Sequence, residues 1–369
     1  MLKILHLIPT LRAGGAERIV VDICDEIYTR KNCLVSLVTF SDDFKQMIEP
    51  NASYHKHIPS FFTPSISNKS KVKVDDLQKH ISEFEPDILH THLWESEMIA
   101  TQLTLLNTVR FTHFHDNIPQ LENVFKGFNK KSITNFYEKC IYQKNNNNNF
   151  ICISKDTMTY AKRVLPRRLK KNTILIENAV NFKNFHSYGN NFDEIKIINV
   201  GSFVAKKNQK LCVKVLMSIL NKGFNAKLIF LGDGPLINDI KLMVSNNNLN
   251  NHVSFKGNVS DVKFYLENSS VYLHSAYYEP FGLVMLEAMA AGLPVIALDG
   301  KGNRDFLIHG ENGYIFDNQN IEEFSNCIIK LSHDKKLYEK IKLNGYETSK
   351  RYDIVNYVNT LIENYNKKI

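Results

Sequence analysis

Short continuous apolar runs recur along the chain, each followed by a stretch whose apolar residues return every three or four positions. LKILHLIP reads as a buried strand, TLRAGGAE as a loop, RIVVDICDEIYTR as an amphipathic helix and CLVSLVTF as a second strand. Unbroken apolarity marks strands covered on both faces, and the strand-helix-strand order predicts parallel pairing. The rhythm recurs in PDILHTHL, VRFTHFHD and FICIS. After the loop-like NFKNFHSYGNNFDE it restarts with KIINVGSF, a helix from Asn208 to Asn221, then AKLIFLGDG, HVSFKG, SSVYLHSA and LPVIALD. Two such series joined by a Gly/Asn-rich link predict two doubly wound α/β domains, residues 1–180 and 181–369, facing across a cleft. Ligands are expected beyond the carboxyl ends of the strands. From Ile321 the pattern is mostly helical and offers no site residues; the last helix is a candidate to pack back on the first domain. The run Asn145 to Asn149 reads as a surface loop without chemistry of its own.

A chain of 369 residues is also too long for one comfortable core at about 150 residues per domain, and 43% apolar with 23% charged residues marks it as globular. Six cysteines, at 24, 33, 140, 152, 212 and 327, show no CxxC or metal-ligand spacing and read as reduced core thiols of a cytoplasmic protein. The apolar run in MLKILHLIPT is too short for a signal peptide, and no stretch of about 18 uncharged apolar residues occurs. Net charge is +8, yet residues 124–171 hold twelve Lys or Arg against Glu138 and Asp156, a local net of +10. Aromatics interleave with these charges, so the segment suits an anionic membrane surface, a nucleic acid, or a plain solvated helix face.

In EPFGLVMLEAMAAGLP, Pro280 can start a helix and Gly292 with Pro294 can end it, predicting helix from Phe281 to Ala291. Its first amides, from Phe281, Gly282, Leu283 and Val284, together with the helix dipole make an anion site. Glu279 lies before that mouth and Glu287 roughly 7 Å deeper, so a diphosphate there would be flanked by two acceptors for sugar hydroxyls. Taken alone, Glu287 reads equally as a partly exposed helix residue. Gly14 and Gly15 leave backbone amides uncovered at a helix start, a second anion cradle or a plain turn. Lys207 follows the first strand of the second half, where a point charge could reach a phosphate. LGDGPLIND falls short of a dinucleotide fingerprint, because Ile237 stands where its third glycine belongs. His90, His92, His113 and His115 share sheet faces by period-2 spacing, but without a matching carboxylate they predict no metal.

This set of motifs resembles the retaining family-4 glycosyltransferases (glycosyl transferases group 1), whose GT-B fold has two Rossmann-like domains. GGAERIVVDI, PDILHTHL, FTHFHD, FICIS, IENAVN, LIFLGDGPL, VSFKGNV and SAYYEPFGLVMLEAMAAGLPVIA follow in the family's order and cover nearly the whole chain. The resemblance implies that Glu287 binds the ribose of a UDP- or GDP-sugar and that Glu279 contacts the donor sugar and supports charge at its anomeric carbon. It implies that the amides of Phe281, Gly282, Leu283 and Val284 hold the diphosphate, with Gly14 and Gly15 approaching it, Ser202 beside it, Lys207 neutralising it and His115 lining the sugar pocket. Residues around Phe255 to Val259 would lie near the base. No metal or other cofactor is implied, and transfer keeps the anomeric configuration. The acceptor would be a lipid-linked or surface-polysaccharide (lipopolysaccharide) glycan, with the enzyme cytoplasmic and peripheral on the inner face of the membrane, and no nucleic acid bound. Two positions depart from the family pattern. Ser202 stands where an arginine is common, leaving Lys206 or Arg304 to compensate, and GKGNRD replaces GG-x-x-E. A sugar-nucleotide epimerase of similar fold and a non-catalytic partner subunit are the alternative readings.

Overall fold

A computed structural model of the chain describes residues 1–12, 14–41, 48–63, 70–116, 147–187 and 194–369. The chain divides into two compact units, Met1–Asn178 with Ile354–Ile369, and Ala179–Asp353. The first boundary lies two residues before the expected one, and the last helix belongs to the first unit.

In the first unit, strands β1 (Leu2–Ile8), β2 (Cys33–Thr39), β3 (His55–His57), β6 (Ile88–His92), β7 (Val109–Phe114), β8 (Asn148–Cys152) and β9 (Thr173–Leu175) form a parallel sheet in the order β3-β2-β1-β6-β7-β8-β9. A small antiparallel hairpin, β4 (Phe61–Thr63) and β5 (Lys71–Lys73), stands apart. Ile4, Leu5, Leu7 and Ile8 are all fully buried, as the unbroken apolar run requires of a strand covered on both faces. Each such side chain contributes about 1.5–3 kcal/mol of transfer free energy. The helix Gly15–Tyr28 turns Ile19, Val20, Ile23, Cys24 and Ile27 inward at helical spacing. The terminal helix Ile354–Asn366 buries Ile354, Tyr357, Val358, Leu361, Ile362 and Tyr365 in the same way, and Arg30 from the end of Gly15–Tyr28 reaches its Asn359 at 2.7 Å.

The asparagine run departs from expectation. Asn148 and Asn149, at its end, are not surface loop but the first residues of β8, each 4% exposed. Their amides bond the neighbouring strand, Asn148 Nδ2 to Thr112 Oγ1 at 2.8 Å and Asn149 Nδ2 to Arg110 O at 3.2 Å, which offsets the cost of burial. Residues 145–146, and the first part of the basic segment, 124–146, lie outside the described residues; in its described part Lys155, Lys162, Arg163, Arg167, Arg168 and Lys171 are exposed and Lys170 is half-buried.

The second unit carries β10 (Ile195–Val200), β11 (Ala226–Leu231), β12 (Val253–Phe255), β13 (Val271–His274), β14 (Val295–Leu298) and β15 (Tyr314–Phe316), all parallel, in the order β12-β11-β10-β13-β14-β15. This is the doubly wound order in which the winding reverses between β10 and β13, and side chains at the carboxyl ends of those two strands meet at the switch point. The matching reversal in the first unit falls between β1 and β6. Free cysteines Cys24, Cys33, Cys152 and Cys212 are buried, and burial pushes the Cys152 and Cys212 thiols up to about 12, so both are inert core thiols.

Candidate active site

At the switch point of the second unit, the chain leaves β10 through Gly201 and Ser202, makes a single 3-10 turn at Ala205–Lys207, and enters the helix Gln209–Asn221. Buried Gln209 holds this loop by donating Nε2 to Ser202 O at 3.0 Å. The loop after β13 is stitched to it: Ser275 Oγ donates to Lys207 O at 2.7 Å and Tyr277 N to Lys206 O at 2.9 Å. These bonds bring Lys207 Nζ to 2.5 Å from Glu279 Oε2.

Glu279 is held from behind by the segment that departs from the family pattern. Gly300 and Gly302 flank it in a single parallel bridge, Glu279 N donating to Gly300 O at 2.9 Å and Gly302 N to Glu279 O at 3.0 Å. A Cβ on Gly302 would lie 1.9 Å from Pro280 O, and one on Gly300 2.6 Å from Glu279 Cβ. Only glycine lets the two backbones approach so closely. Asn303, fully buried, keeps the clamp in shape by donating to Leu298 O at 3.0 Å and accepting from Gly300 N at 3.0 Å.

His274, the last residue of β13, places Nε2 3.1 Å from the same Glu279 Oε2, a polar contact of ring dipole with carboxylate rather than an aligned hydrogen bond. Its Nδ1 lies 3.2 Å from the hydroxyl of Tyr272, the nearer of that hydroxyl's two partners. Burial pulls the His274 ring below its ordinary range against the opposing pull of Glu279, so the imidazole is neutral. This network assigns the tautomer with hydrogen on Nε2, facing the carboxylate, and Tyr272 donating to Nδ1. Burial alone would raise the Glu279 carboxyl. The Lys207 charge and His274 outweigh it and hold the carboxyl well below the usual carboxylate range. The result is a carboxylate kept ionised over the neutral range, with both partners on Oε2.

The following helix begins two residues later than expected, at Leu283–Ala290, because Gly282 takes a left-handed φ of 105° as its N-cap. Phe281 therefore precedes the helix, its ring 5.2 Å from Phe306 and 5.9 Å from Tyr352. Met285 N already bonds Gly282 O, so Leu283 and Val284 supply the amides of the helix mouth together with Gly282. Glu287 is part-exposed one turn into the helix; burial first, and then the charges of Glu279 and Glu287, push the Tyr272 hydroxyl well up. Both glutamates thus bear on one small region.

The structure brings Ser202, Lys207, Glu279, Gly282, Leu283, Val284 and Glu287 together within the second unit. Gly14, Gly15 and His115 belong to the first unit, after β1 and β7 respectively. Gly14 is the N-cap and Gly15 the first residue of their helix, and a Cβ on Gly14 would meet the Glu17 carboxylate at 2.3 Å. His115 Nε2 lies 3.0 Å from His92 Nδ1, and burial lowers its ring to about 3. Of the two residues proposed to replace an arginine at 202, Arg304 bonds Asp299 through Nε at 2.6 Å and Lys206 sits 5.8 Å over the Tyr278 ring. The glycines of LGDGP serve packing: a Cβ on Gly232 would meet Gly201 O at 2.2 Å and one on Gly234 the Phe203 backbone at 2.7 Å. Sequence reasoning missed His274 and the Gly300–Gly302 clamp; a histidine closing an otherwise apolar strand, VYLH, is the signal that could have found the first.

A parallel α/β unit with a lysine–carboxylate pair and helix amides at its switch point is suited to hold an anionic group. Two family models say which family the chain resembles. Residues 180–348 match glycosyl transferases group 1 and residues 13–183 match glycosyltransferase family 4. The chain belongs to these group-1, family-4 glycosyltransferases. An uncharacterized glycosyltransferase of Methanocaldococcus jannaschii is 32% identical over 214 residues, 57% of each chain. A poly(ribitol-phosphate) alpha-N-acetylglucosaminyltransferase of Staphylococcus aureus is 30% identical over 167 residues, 44% of this chain and 34% of that one. The matches thus span from about a third to somewhat over half of those relatives. Among solved structures, Anabaena HepE in complex with UDP superposes with a TM-score of 0.79 at 19% identity, over 99% of this chain and 100% of that one, which fixes the fold as GT-B.

Proposed function

We propose that the chain transfers a sugar, with retention of anomeric configuration, from a UDP- or GDP-linked donor to a lipid-linked or surface-polysaccharide acceptor. The observation that carries this reading is the Lys207–Glu279 pair beside the open amides of Gly282, Leu283 and Val284. In this reading the amides and the helix dipole hold the diphosphate, Lys207 moves its charge onto the leaving group, and Glu279, already ionised, supports positive charge at the anomeric carbon. Glu287 accepts from the ribose hydroxyls. Fixed donors then stabilise the charge on the departing diphosphate, which is where such a reaction gains most of its rate, and no divalent ion is needed for it. Support comes also from HepE, solved with UDP-glucose, and from the S. aureus relative, named for transfer to poly(ribitol-phosphate). The exposed basic residues between 155 and 171 belong to the +10 segment and suit an anionic membrane carrying the acceptor, at about 1 kcal/mol per basic residue near the surface.

Calorimetric titration with UDP-, GDP- and ADP-sugars in the presence of chelator tests the donor site. Micromolar binding of one donor, lost in Glu287→Ala, supports the reading; no binding of any donor overturns it. Co-sedimentation with phosphatidylserine and with neutral vesicles tests the membrane part, and equal retention on both rules it out.

A further inference from the structure

The first unit gathers five histidines on one face of its sheet. His6 on β1 is the register partner of His90 on β6, and His92 that of His113 on β7. The spacings His90/His92 and His113/His115 keep the side chains on the same side. Neighbouring rings lie 4.1–5.3 Å apart between centroids, some stacked and some tilted. His6, His90 and His92 have no exposed surface, and the terminal helix lays Tyr357 and Tyr365 against the group.

Hydrogen bonds account for only part of the ring nitrogens. His6 Nδ1 meets His92 Nε2 at 2.9 Å, His92 Nδ1 meets His115 Nε2 at 3.0 Å, His90 Nδ1 meets the Tyr365 hydroxyl at 2.5 Å, and His113 Nε2 meets that of Tyr357 at 3.4 Å. His6 Nε2, His90 Nε2, His113 Nδ1 and His115 Nδ1 are enclosed without a partner. Buried polar atoms are ordinarily paired, and four orphans in one cluster call for an occupant. Burial keeps the rings neutral, and neutral imidazole is the form that ligates a metal.

We propose that His6, His90 and His92 form a binding site for a zinc-type divalent transition-metal ion at the switch point of the first sheet. One nitrogen from each lies within 4.8 Å of those of the other two. The edge of a tetrahedron with Zn–N bonds of about 2.05 Å is roughly 3.3 Å, so small ring rotations close the site. His90 offers Nε2 while Tyr365 holds its Nδ1, the outer hydrogen bond that orients a metal-bound histidine. His6 offers its free Nε2, and His92 exchanges one of its histidine partners for the ion. A donor set of imidazoles alone selects zinc, copper or nickel over magnesium or calcium. A second trio, His92, His113 and His115, shares His92. The first trio is preferred because it is wholly enclosed and because Tyr365 fixes one of its rings. Loading the site would tie β1 to β6 across the reversal of the sheet.

The full chain, stripped with chelator, loaded with Zn²⁺ or Co²⁺ and dialysed against metal-free buffer, is assayed for metal content, visible Co²⁺ absorption and melting temperature. One retained equivalent, with the spectrum of nitrogen-ligated tetrahedral Co²⁺ and a raised melting temperature, is expected. It should be lost in His90→Gln and in His6→Gln, and kept when His55→Gln and His57→Gln remove two histidines of β3. Tyr365→Phe should weaken Co²⁺ affinity about 10–100-fold while the ring packing survives. No retained metal overturns the proposal, as does metal that survives His6→Gln and disappears in His113→Gln. Should His90→Gln fail to fold, unchanged affinity in Tyr365→Phe overturns it as well.

Discussion

Lys207 Nζ lies 2.5 Å from Glu279 Oε2 across 72 residues of sequence, and it joins the loops that follow the two strands at the switch point of the second unit. The pair is mostly enclosed, with side chains 21% and 11% exposed. Replacing the lysine leaves a carboxylate without its countercharge in a low-dielectric setting. Lys207→Met should lower kcat/KM for the cognate donor by about 100-fold or more, equivalent to roughly 2.7 kcal/mol of transition-state stabilisation. Steady-state kinetics check this, and rates within a factor of roughly two of the parent would remove Lys207 from the machinery.

His274 acts on Glu279 rather than on a ligand in this arrangement, and Tyr272 sets its tautomer. His274→Ala should therefore lower kcat by about 10-fold while leaving the donor KM nearly unchanged, since orientation and not uniform binding is lost. His274→Gln, which keeps a donor, should recover part of the rate. A rise in KM with kcat untouched would point to direct donor contact instead.

The ionised state of Glu279 has a consequence in acid. Lys207 and His274 hold the folded carboxyl below its ordinary value in spite of burial, so below about pH 4.5 the unfolded chain binds a proton that the folded chain refuses. The stabilisation is complete above that pH and is lost as pH falls, at up to about 1.4 kcal/mol per pH unit from this group. Denaturant unfolding at pH 5 and pH 3.5 should show a smaller drop in Glu279→Gln than in the parent; equal drops would refute the assignment.

Gly302 tests the clamp behind the carboxylate. A Cβ there would meet Pro280 O at 1.9 Å, whereas Gly223, also at a turn, has open space around it. Gly302→Ala should cost several times the roughly 1 kcal/mol expected of Gly223→Ala from its positive φ, and should lower activity out of proportion to the unfolded fraction. Thermal melts paired with kinetics separate the two effects.

Local periodicity determined much of this protein. Unbroken apolar runs and 3.6-period stretches were enough to name β1, β2, β6, β7, β8, β10, β11, β12, β13 and β14 and the doubly wound class. Spacing within EPFGLVMLE was enough to place two carboxylates about a helix mouth, because those residues lie within a few turns of each other. Of the three-residue strands, β12 was legible within HVSFKG, while β3, β9 and β15 lack a flanking pattern that marks them. The later helix start escaped because the left-handed φ of Gly282 is a backbone choice that Pro280 alone does not dictate. Tertiary structure decided everything that depends on strand register. The burial of Asn148 and Asn149, the Gly300–Gly302 clamp on Glu279, the His274 contact and the layer formed by His6, His90, His92, His113 and His115 with Tyr365 join residues from 2 to 275 positions apart. No local signal encodes such pairings; they arise only when neighbouring strands fix which side chains face one another.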